Sequence, residues 1–265
     1  MSAIERPTPR QQTRRLVVLA AAVFAVVVPI VQNLGGFGLS QAEFAAEGNQ
    51  TLQVAGYAFS IWGLIYLGLL AYAVRQALPQ TGESVLINRL GWPSAVAFFG
   101  IGMWIIAAAL NLKAASVVII FASLLALLVP LLANAKAIRT TGVMDRDRWF
   151  LIWPLAALAG WLTVAAPLNL ITTATAFDAL PAFLSPTVWA IAIPAFAVLV
   201  GLEVTHYLRT LAYPLPIAWG LVGIFVAEQE RNPTVAYLSL VAAFILVVVV
   251  VVVTFGLKRG IERPH

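Results

Sequence analysis

Eight long runs of apolar residues, separated by short polar or charged segments, dominate the chain. Most runs reach the ~20 residues that an α-helix needs to cross a bilayer, so the pattern predicts an all-α polytopic membrane protein. The seventh run is the weakest, because it is short and begins with Pro214 and Pro216. The predicted spans are about 16–34, 54–75, 90–111, 115–135, 149–172, 187–207, 212–228 and 234–257.

Three of these spans carry aromatic and asparagine side chains at helical spacing. Because an α-helix has about 3.6 residues per turn, each set lies near one face of its helix. An asparagine in hydrocarbon must find a partner, since an unpaired buried amide costs on the order of 2–7 kcal/mol. We therefore expect these faces to point into a helix bundle. The sets are Tyr57, Phe59, Trp62 and Tyr66; Trp104 and Asn111; and Trp161, Ala165 and Asn169.

Composition narrows the chemistry that the chain can perform. Hydrophobic residues make up 62% of the chain and charged residues 10%, against roughly 25% charged residues in a soluble domain. There is no cysteine, which excludes disulfides, thiolate metal sites and cysteine nucleophiles, and two histidines are too few for a histidine metal site. No phosphate-binding loop, zinc-protease or serine-hydrolase motif is present.

The basic residues are unevenly distributed between the two sides of the predicted bundle. If the N-terminus is cytoplasmic, only Lys113 and Arg231 of the 16 basic residues fall in outer loops, which leaves 14 on the cytoplasmic side. The positive-inside rule then favours an even number of spans, with both termini cytoplasmic. Topology thus explains the net charge of +5, and we expect no nucleic-acid partner.

The second, third and fifth spans resemble the tryptophan-rich sensory protein family, also called the translocator protein or peripheral benzodiazepine receptor-like (TspO/MBR) family. The family's second span reads Trp-x-Phe-Pro-x-Trp-x-x-Leu-Tyr, and residues 57–66 read Tyr-Ala-Phe-Ser-Ile-Trp-Gly-Leu-Ile-Tyr. Its fifth span reads Trp-x-x-Phe-Ala-x-x-Leu-Asn, and residues 161–169 read Trp-Leu-Thr-Val-Ala-Ala-Pro-Leu-Asn. The third-span Leu-Asn is similar to Leu110-Asn111.

The resemblance implies a five-helix core over residues 16–175. Three additional C-terminal transmembrane helices over 176–257 follow it, and basic tails at 1–15 and 258–265 flank the spans. It also implies that the bundle binds porphyrin-like tetrapyrroles or other flat apolar ligands and requires no cofactor. The chain departs from the family after the third-span asparagine, where Lys113 and Ala114 replace a tryptophan and a phenylalanine.

The predicted topology brings the three aromatic faces to a similar depth in the outer half of the bundle, beneath the loop 35–53. Aromatic walls with a few amide groups suit a flat, mostly apolar ligand, and the loop would cover such a pocket. Helix packing is the alternative explanation, because asparagine also bonds neighbouring membrane helices together and tryptophan fills space between them.

Glu203 and His206 are the main alternative site, because they are ionisable and share a face of the sixth span. A proton-coupled transporter would use such a pair, although both side chains could equally reach cytoplasmic water. Glu228 and Glu230 are expected to be solvated. The leading hypothesis is an integral membrane sensor or carrier for a tetrapyrrole-like or isoprenoid-like ligand, ahead of the transporter and, last, an enzyme.

We expect a multi-pass protein of the bacterial inner membrane. Its expected partners are the lipid bilayer and a small hydrophobic ligand, and the sequence also allows for a homodimer.

Overall fold

The computed structural model describes residues 7–78 and 84–256, with side chains described up to residue 252. Residues 1–6 and the predicted tail 258–265 therefore lie outside the described residues. The described part folds into α-helices joined by short connections and contains no strand. The helices are α1 (Pro9–Gly35), α2 (Gln41–Ala46), α3 (Ile61–Ala77), α4 (Val85–Ala109), α5 (Lys113–Ala133), α6 (Ala135–Thr140), α7 (Trp153–Ala176), α8 (Pro186–Leu208), α9 (Pro214–Glu228) and α10 (Pro233–Gly256).

Two segments of other helical geometry precede α3 and α7. A 3₁₀ helix, Gly56–Ser60, leads into α3, and one π-helical turn, Arg148–Ile152, leads into α7. Near the start of the chain, α1 begins at Pro9. Thr8 caps this helix, and its side-chain oxygen accepts a hydrogen bond from the Gln11 N–H. Residues 9–15, which were predicted to belong to the N-terminal tail 1–15, therefore form the beginning of α1.

The prediction of an all-α polytopic membrane protein is confirmed. Within the described residues, seven helical segments are long and apolar enough to cross a membrane. The predicted span 212–228 corresponds to α9, which has 15 residues and so extends only ~22 Å at 1.5 Å per residue. Its start lies inside the bundle, because the carbonyl oxygen of the buried Tyr213 approaches Gly160 in the middle of the protein.

Helix α7 is the central helix of the bundle. Its most apolar stretch is 83% buried, against 33% for α5, and α7 packs against α3, α5, α8 and α9. No charged residue occurs between Trp153 and Ala176, and small residues such as Ala159 and Gly160 allow close approach of its neighbours. Because these neighbours pack against it on several sides, α7 forms the core around which the others are arranged.

One end of the bundle is held together by basic residues, and we call it the basic end. Arg75 at the end of α3 pairs with Asp147 at 2.5 Å, which ties the connection before α7 to α3. Arg89 of α4 donates to the side-chain oxygen of Asn134 at 3.0 Å. The polar side chains of the inter-helix connections at this end therefore bond to helix termini.

The opposite end, which we call the α2 end, contains the segment predicted as a loop at 35–53. It is tied to its surroundings along its length: the Leu39 N–H donates to the carbonyl of Ala109 at 3.1 Å. Further along, the Thr51 and Thr175 hydroxyls lie 2.8 Å apart. Between these two anchors runs α2, which Ser40 caps. The predicted loop is therefore an ordered cover that includes a helix.

The prediction that Glu228 is solvated is wrong. Its carboxylate is 3% exposed, accepts the backbone N–H of Gln53 at 2.6 Å and pairs with Arg231 at 3.3 Å. Arg231 also donates to the side-chain oxygen of Gln53 at 2.8 Å. A buried charge is tolerated where such partners replace water, and this cluster fastens the segment before the 3₁₀ helix to the end of α9.

Gly160→Ala is expected to destabilise the bundle, because a Cβ atom there would meet the Tyr213 carbonyl oxygen at 1.9 Å. Overpacking of this kind typically costs about 1–3 kcal/mol. Thermal unfolding in detergent measures the effect. Gly63→Ala is the matched control, since nothing lies within 4 Å of its Cβ position, and it should leave the unfolding midpoint unchanged or raise it. Equal midpoints for the two variants would contradict the close packing of α7 against the start of α9.

Candidate functional site

An apolar pocket lies at the α2 end between α7 and the surrounding helices. Its walls come from α2, the 3₁₀ helix, α3, α4, α5, α7 and α9. The enclosed cavity volume is only about 40 Å³. The side chains therefore nearly close the pocket in this conformation.

Aromatic side chains form one wall of the pocket by edge-to-face packing. The ring of Trp161 meets Phe59 at a centroid distance of 6.3 Å and Trp62 at 6.2 Å, both at 82°. Such perpendicular contacts place the positive edge of one ring on the negative face of another. Behind this wall, Tyr66 stacks on Trp62 at 5.3 Å, so the indole of Trp62 is fixed from both sides.

Asn169 holds the opposite wall together through three hydrogen bonds. Its side-chain oxygen accepts the indole N–H of Trp104 at 2.7 Å. Its amide N–H groups donate to the hydroxyls of Ser116 at 3.0 Å and Thr173 at 3.2 Å. The carboxamide thus joins α4, α5 and α7 and has both donors and its acceptor in use. Asn169 lines the pocket, but its polar atoms are already engaged with protein.

The indole N–H groups of Trp62 and Trp161 have no hydrogen-bond partner, although both atoms are buried. Their side chains are 5% and 4% exposed and both line the pocket. A buried donor without a partner costs about 1–3 kcal/mol. The aromatic wall therefore carries two unpaired polar atoms, one on Trp62 and one on Trp161.

The structure brings six of the nine predicted site residues to this pocket and places three elsewhere. The six are Phe59, Trp62, Trp104, Trp161, Ala165 and Asn169. Tyr57 is 42% exposed and packs edge-on against Trp219, and Tyr66 lies behind Trp62. Asn111 follows the end of α4 and has a left-handed φ of 56°. The helical periodicity that predicted the direction of its side chain therefore does not extend to this residue.

Asn111 instead bonds to the cover of the pocket. Its amide donates to the Glu47 carboxylate at 2.7 Å, and the Lys113 ammonium lies 3.0 Å from the same oxygen. The hydrogen bonds from Lys113 and Asn111 hold the pKa of Glu47 below its ordinary value. Glu47 is thus kept as a carboxylate at the corner between α4 and α5.

Two parts of the pocket wall were missed by the sequence analysis. Phe44 of α2 packs edge-on against Trp104 at 6.0 Å, and Gly220 and Ile224 of α9 complete the wall beside α7. A Cβ atom at Gly220 would meet Val164 at 2.8 Å. The glycines of α9 were the available signal, because small residues let membrane helices approach closely.

The alternative site of Glu203 and His206 lies on the exposed surface of α8. Neither side chain lines the pocket, and His206 instead packs edge-on against Tyr207 at 5.7 Å. Among the described residues, no group of three His, Cys, Asp or Glu side chains could hold a metal ion.

Trp104→Phe is expected to destabilise the protein by about 1–3 kcal/mol, because it leaves the Asn169 oxygen buried without its donor. The thermal unfolding midpoint in detergent reports this loss. Trp92→Phe is the matched control, since Trp92 is 38% exposed on α4. An unchanged midpoint for Trp104→Phe would mean that the bond contributes nothing to holding α4 against α7.

Comparison with known proteins was made by family models, by curated sequences and by solved structures. Neither the curated proteins nor the solved structures gave a match. The model of the family described as "TSPO-like protein" matches residues 15–252, which includes α8, α9 and most of α10 as well as the predicted five-helix core. This match covers most of the 265 residues, and the chain belongs to the TSPO-like protein family.

Proposed function

We propose that this multi-pass membrane protein is a sensor or carrier that binds a flat, mostly apolar ligand, such as a tetrapyrrole or an isoprenoid, in the pocket beside α7. The observation that carries the proposal is the aromatic wall with two unpaired indole donors, on Trp62 and Trp161. Indole and phenyl rings offer stacking surface to a flat molecule. The free N–H groups would fix its orientation by donating hydrogen bonds to acceptor atoms at its rim.

The size of the pocket requires the protein to open before such a ligand enters. Small-molecule pockets usually enclose about 300–1,000 Å³, far more than the cavity volume of about 40 Å³ here. The cover is the part best suited to move, because α2 has only six residues and contributes Phe44 and Ala45 to the wall. We infer that α2 acts as a lid over the aromatic wall.

Trp161→Phe is expected to weaken ligand binding more than it weakens folding. The substitution keeps an aromatic ring and removes an N–H that bonds to nothing in the protein. Loss of one ligand hydrogen bond costs about 0.5–1.5 kcal/mol, or roughly a threefold to tenfold rise in Kd. Titration with protoporphyrin IX, followed by quenching of tryptophan fluorescence, measures Kd.

The control for this titration is again Trp92→Phe, whose ring lies on the exposed surface of α4. Its Kd should equal that of the wild type. If Trp161→Phe and Trp92→Phe both bind the porphyrin as the wild type does, the aromatic wall is a packing feature and the proposed site is wrong.

The chain's orientation in the membrane is proposed from its charges. Lys113 and Arg231 at the α2 end each pair with a carboxylate, on Glu47 and Glu228 respectively. The other basic residues of the described chain, such as those at 136–148, flank the opposite ends of the helices. We propose that the basic end faces the cytoplasm of a bacterial inner membrane and that the α2 end faces outward.

Cysteine labelling tests this orientation in a chain that has no cysteine of its own. Gln229→Cys, exposed at the α2 end, should react in intact cells with a thiol reagent that cannot cross the membrane. Met144→Cys, in a side chain that is 91% exposed at the basic end, should react only after the membrane is permeabilised. The reverse pattern would invert the proposed topology.

A further inference from the structure

A polar cleft adjoins the aromatic pocket on the other side of the α2 segment. Glu47, Lys113, Thr175 and Asp178 contribute to its lining. The segment 44–50 and the last turns of α7 each contribute residues to the lining of both cavities. Movement of α2 would therefore join an apolar, aromatic space to a charged one.

Two donors converge on one carboxylate oxygen of Glu47, which lines this cleft. The Lys113 ammonium lies 3.0 Å from Oε2 of Glu47, and the Asn111 amide donates to the same atom at 2.7 Å. Hydrogen bonds between charged groups are roughly twice as strong as neutral ones. Lys113 and Asn111 thus already form a complete carboxylate-binding pair, and it is filled by the chain's own Glu47.

This pair of donors is directly connected to the aromatic pocket. The ammonium of Lys113 lies 4.8 Å from the centre of the Phe44 ring, and Phe44 lines the pocket. The Lys113 side chain is only 11% exposed, so its charge has limited access to water. The other cation at the α2 end, Arg231, is engaged by Glu228, Gln53 and the carbonyl of Asn49.

Opening of the lid changes the balance of charge beside the pocket. Glu47 directly follows α2, so displacement of this helix would separate its carboxylate from Lys113 and Asn111. A poorly hydrated ammonium without a partner is costly. A carboxylate carried by the incoming ligand would restore the lost interactions at the position where the two cavities meet.

We propose that Lys113 and Asn111 bind a carboxylate at the edge of the ligand, and that Glu47 occupies this position in the closed protein. The inference rests on the proposed function and narrows its ligand class to amphiphiles with a flat apolar body and an acidic edge. A neutral isoprenoid lacks the second feature. Glu47 then acts as an internal competitor that holds the lid shut until an acidic ligand replaces it.

The test compares protoporphyrin IX, which carries two carboxylates, with its neutral dimethyl ester. Both are titrated into protein held in nanodiscs of zwitterionic lipid, and the result is the ratio of the ester Kd to the acid Kd. This ratio cancels any general effect of loosening the lid, which would change both Kd values alike. The wild type should prefer the acid by about tenfold, as expected for one charge-assisted interaction.

The variants separate carboxylate binding from lid closure. Lys113→Met should lower the ratio to about one, whereas Lys113→Arg should largely retain the preference because it keeps the charge. Glu47→Gln removes the competitor and should lower the acid Kd without reducing the ratio. Asn111→Gly removes the amide donor, and glycine readily adopts the left-handed backbone conformation of this position. This variant should reduce the ratio severalfold.

Lys136→Met is the matched control, because it makes the same substitution at an exposed position of the basic end. It should preserve the wild-type ratio. Equal ratios for the wild type, Lys113→Met and Asn111→Gly, with both ligands still bound, would overturn the carboxylate site and leave the aromatic pocket standing. Failure of the wild type to bind either porphyrin would overturn the proposed function itself.

Discussion

Pairing of polar groups that are buried among apolar membrane helices is the constraint on which this structure depends. In hydrocarbon an unsatisfied amide has no solvent to bond to, so the side chain of Asn169 must be matched from neighbouring helices. It receives the indole N–H of Trp104 and donates to Ser116 and Thr173. These bonds fix the relative rotation of α4, α5 and α7, and that rotation decides which aromatic rings face the pocket.

The same constraint marks the exceptions as functional candidates. Most polar side chains around α7 have partners, such as Thr163, whose hydroxyl lies 2.6 Å from that of Tyr213. The indole donors of Trp62 and Trp161 stand apart because they are buried without partners in side chains that line a cavity. A buried donor without a partner lowers the stability of the folded protein. A ligand that supplied the missing acceptors would recover this loss.

The cover of the pocket is anchored at both of its ends, and its central helix α2 is held by an ion pair and an aromatic contact. The buried Glu228 carboxylate and Arg231 anchor the segment that leads into the 3₁₀ helix, and the Leu39 amide bonds to α4 at the other side. Between these anchors, α2 is held by the ion pair of Glu47 and Lys113, whose side chains are 43% and 11% exposed, and by the buried ring of Phe44 against Trp104. Opening of the cover therefore requires both that this ion pair separates and that the Phe44 ring leaves Trp104.

The sequence by itself determined the membrane class, the helix order and most of the aromatic wall. Length and apolarity define a span because the bilayer has a fixed thickness, and the sequence pattern singled out Phe59, Trp62 and Trp161, which line the pocket. Periodicity could not place Asn111, because α4 ends at Ala109 and the chain turns through a left-handed residue. It could not separate Tyr57 from Phe59 either, because both lie in the 3₁₀ helix before α3, where Tyr57 packs against Trp219 and Phe59 packs against Trp161.

Only the tertiary structure decided which distant segments complete the site. Phe44, Gly220 and Ile224 reach the pocket from α2 and α9, and Glu228 becomes buried because Gln53 and Arg231 meet it. These contacts join residues far apart along the chain, and no local pattern encodes them. Apolar periodicity specifies which face of a helix is buried, whereas the packing of side chains between helices specifies what that face is buried against.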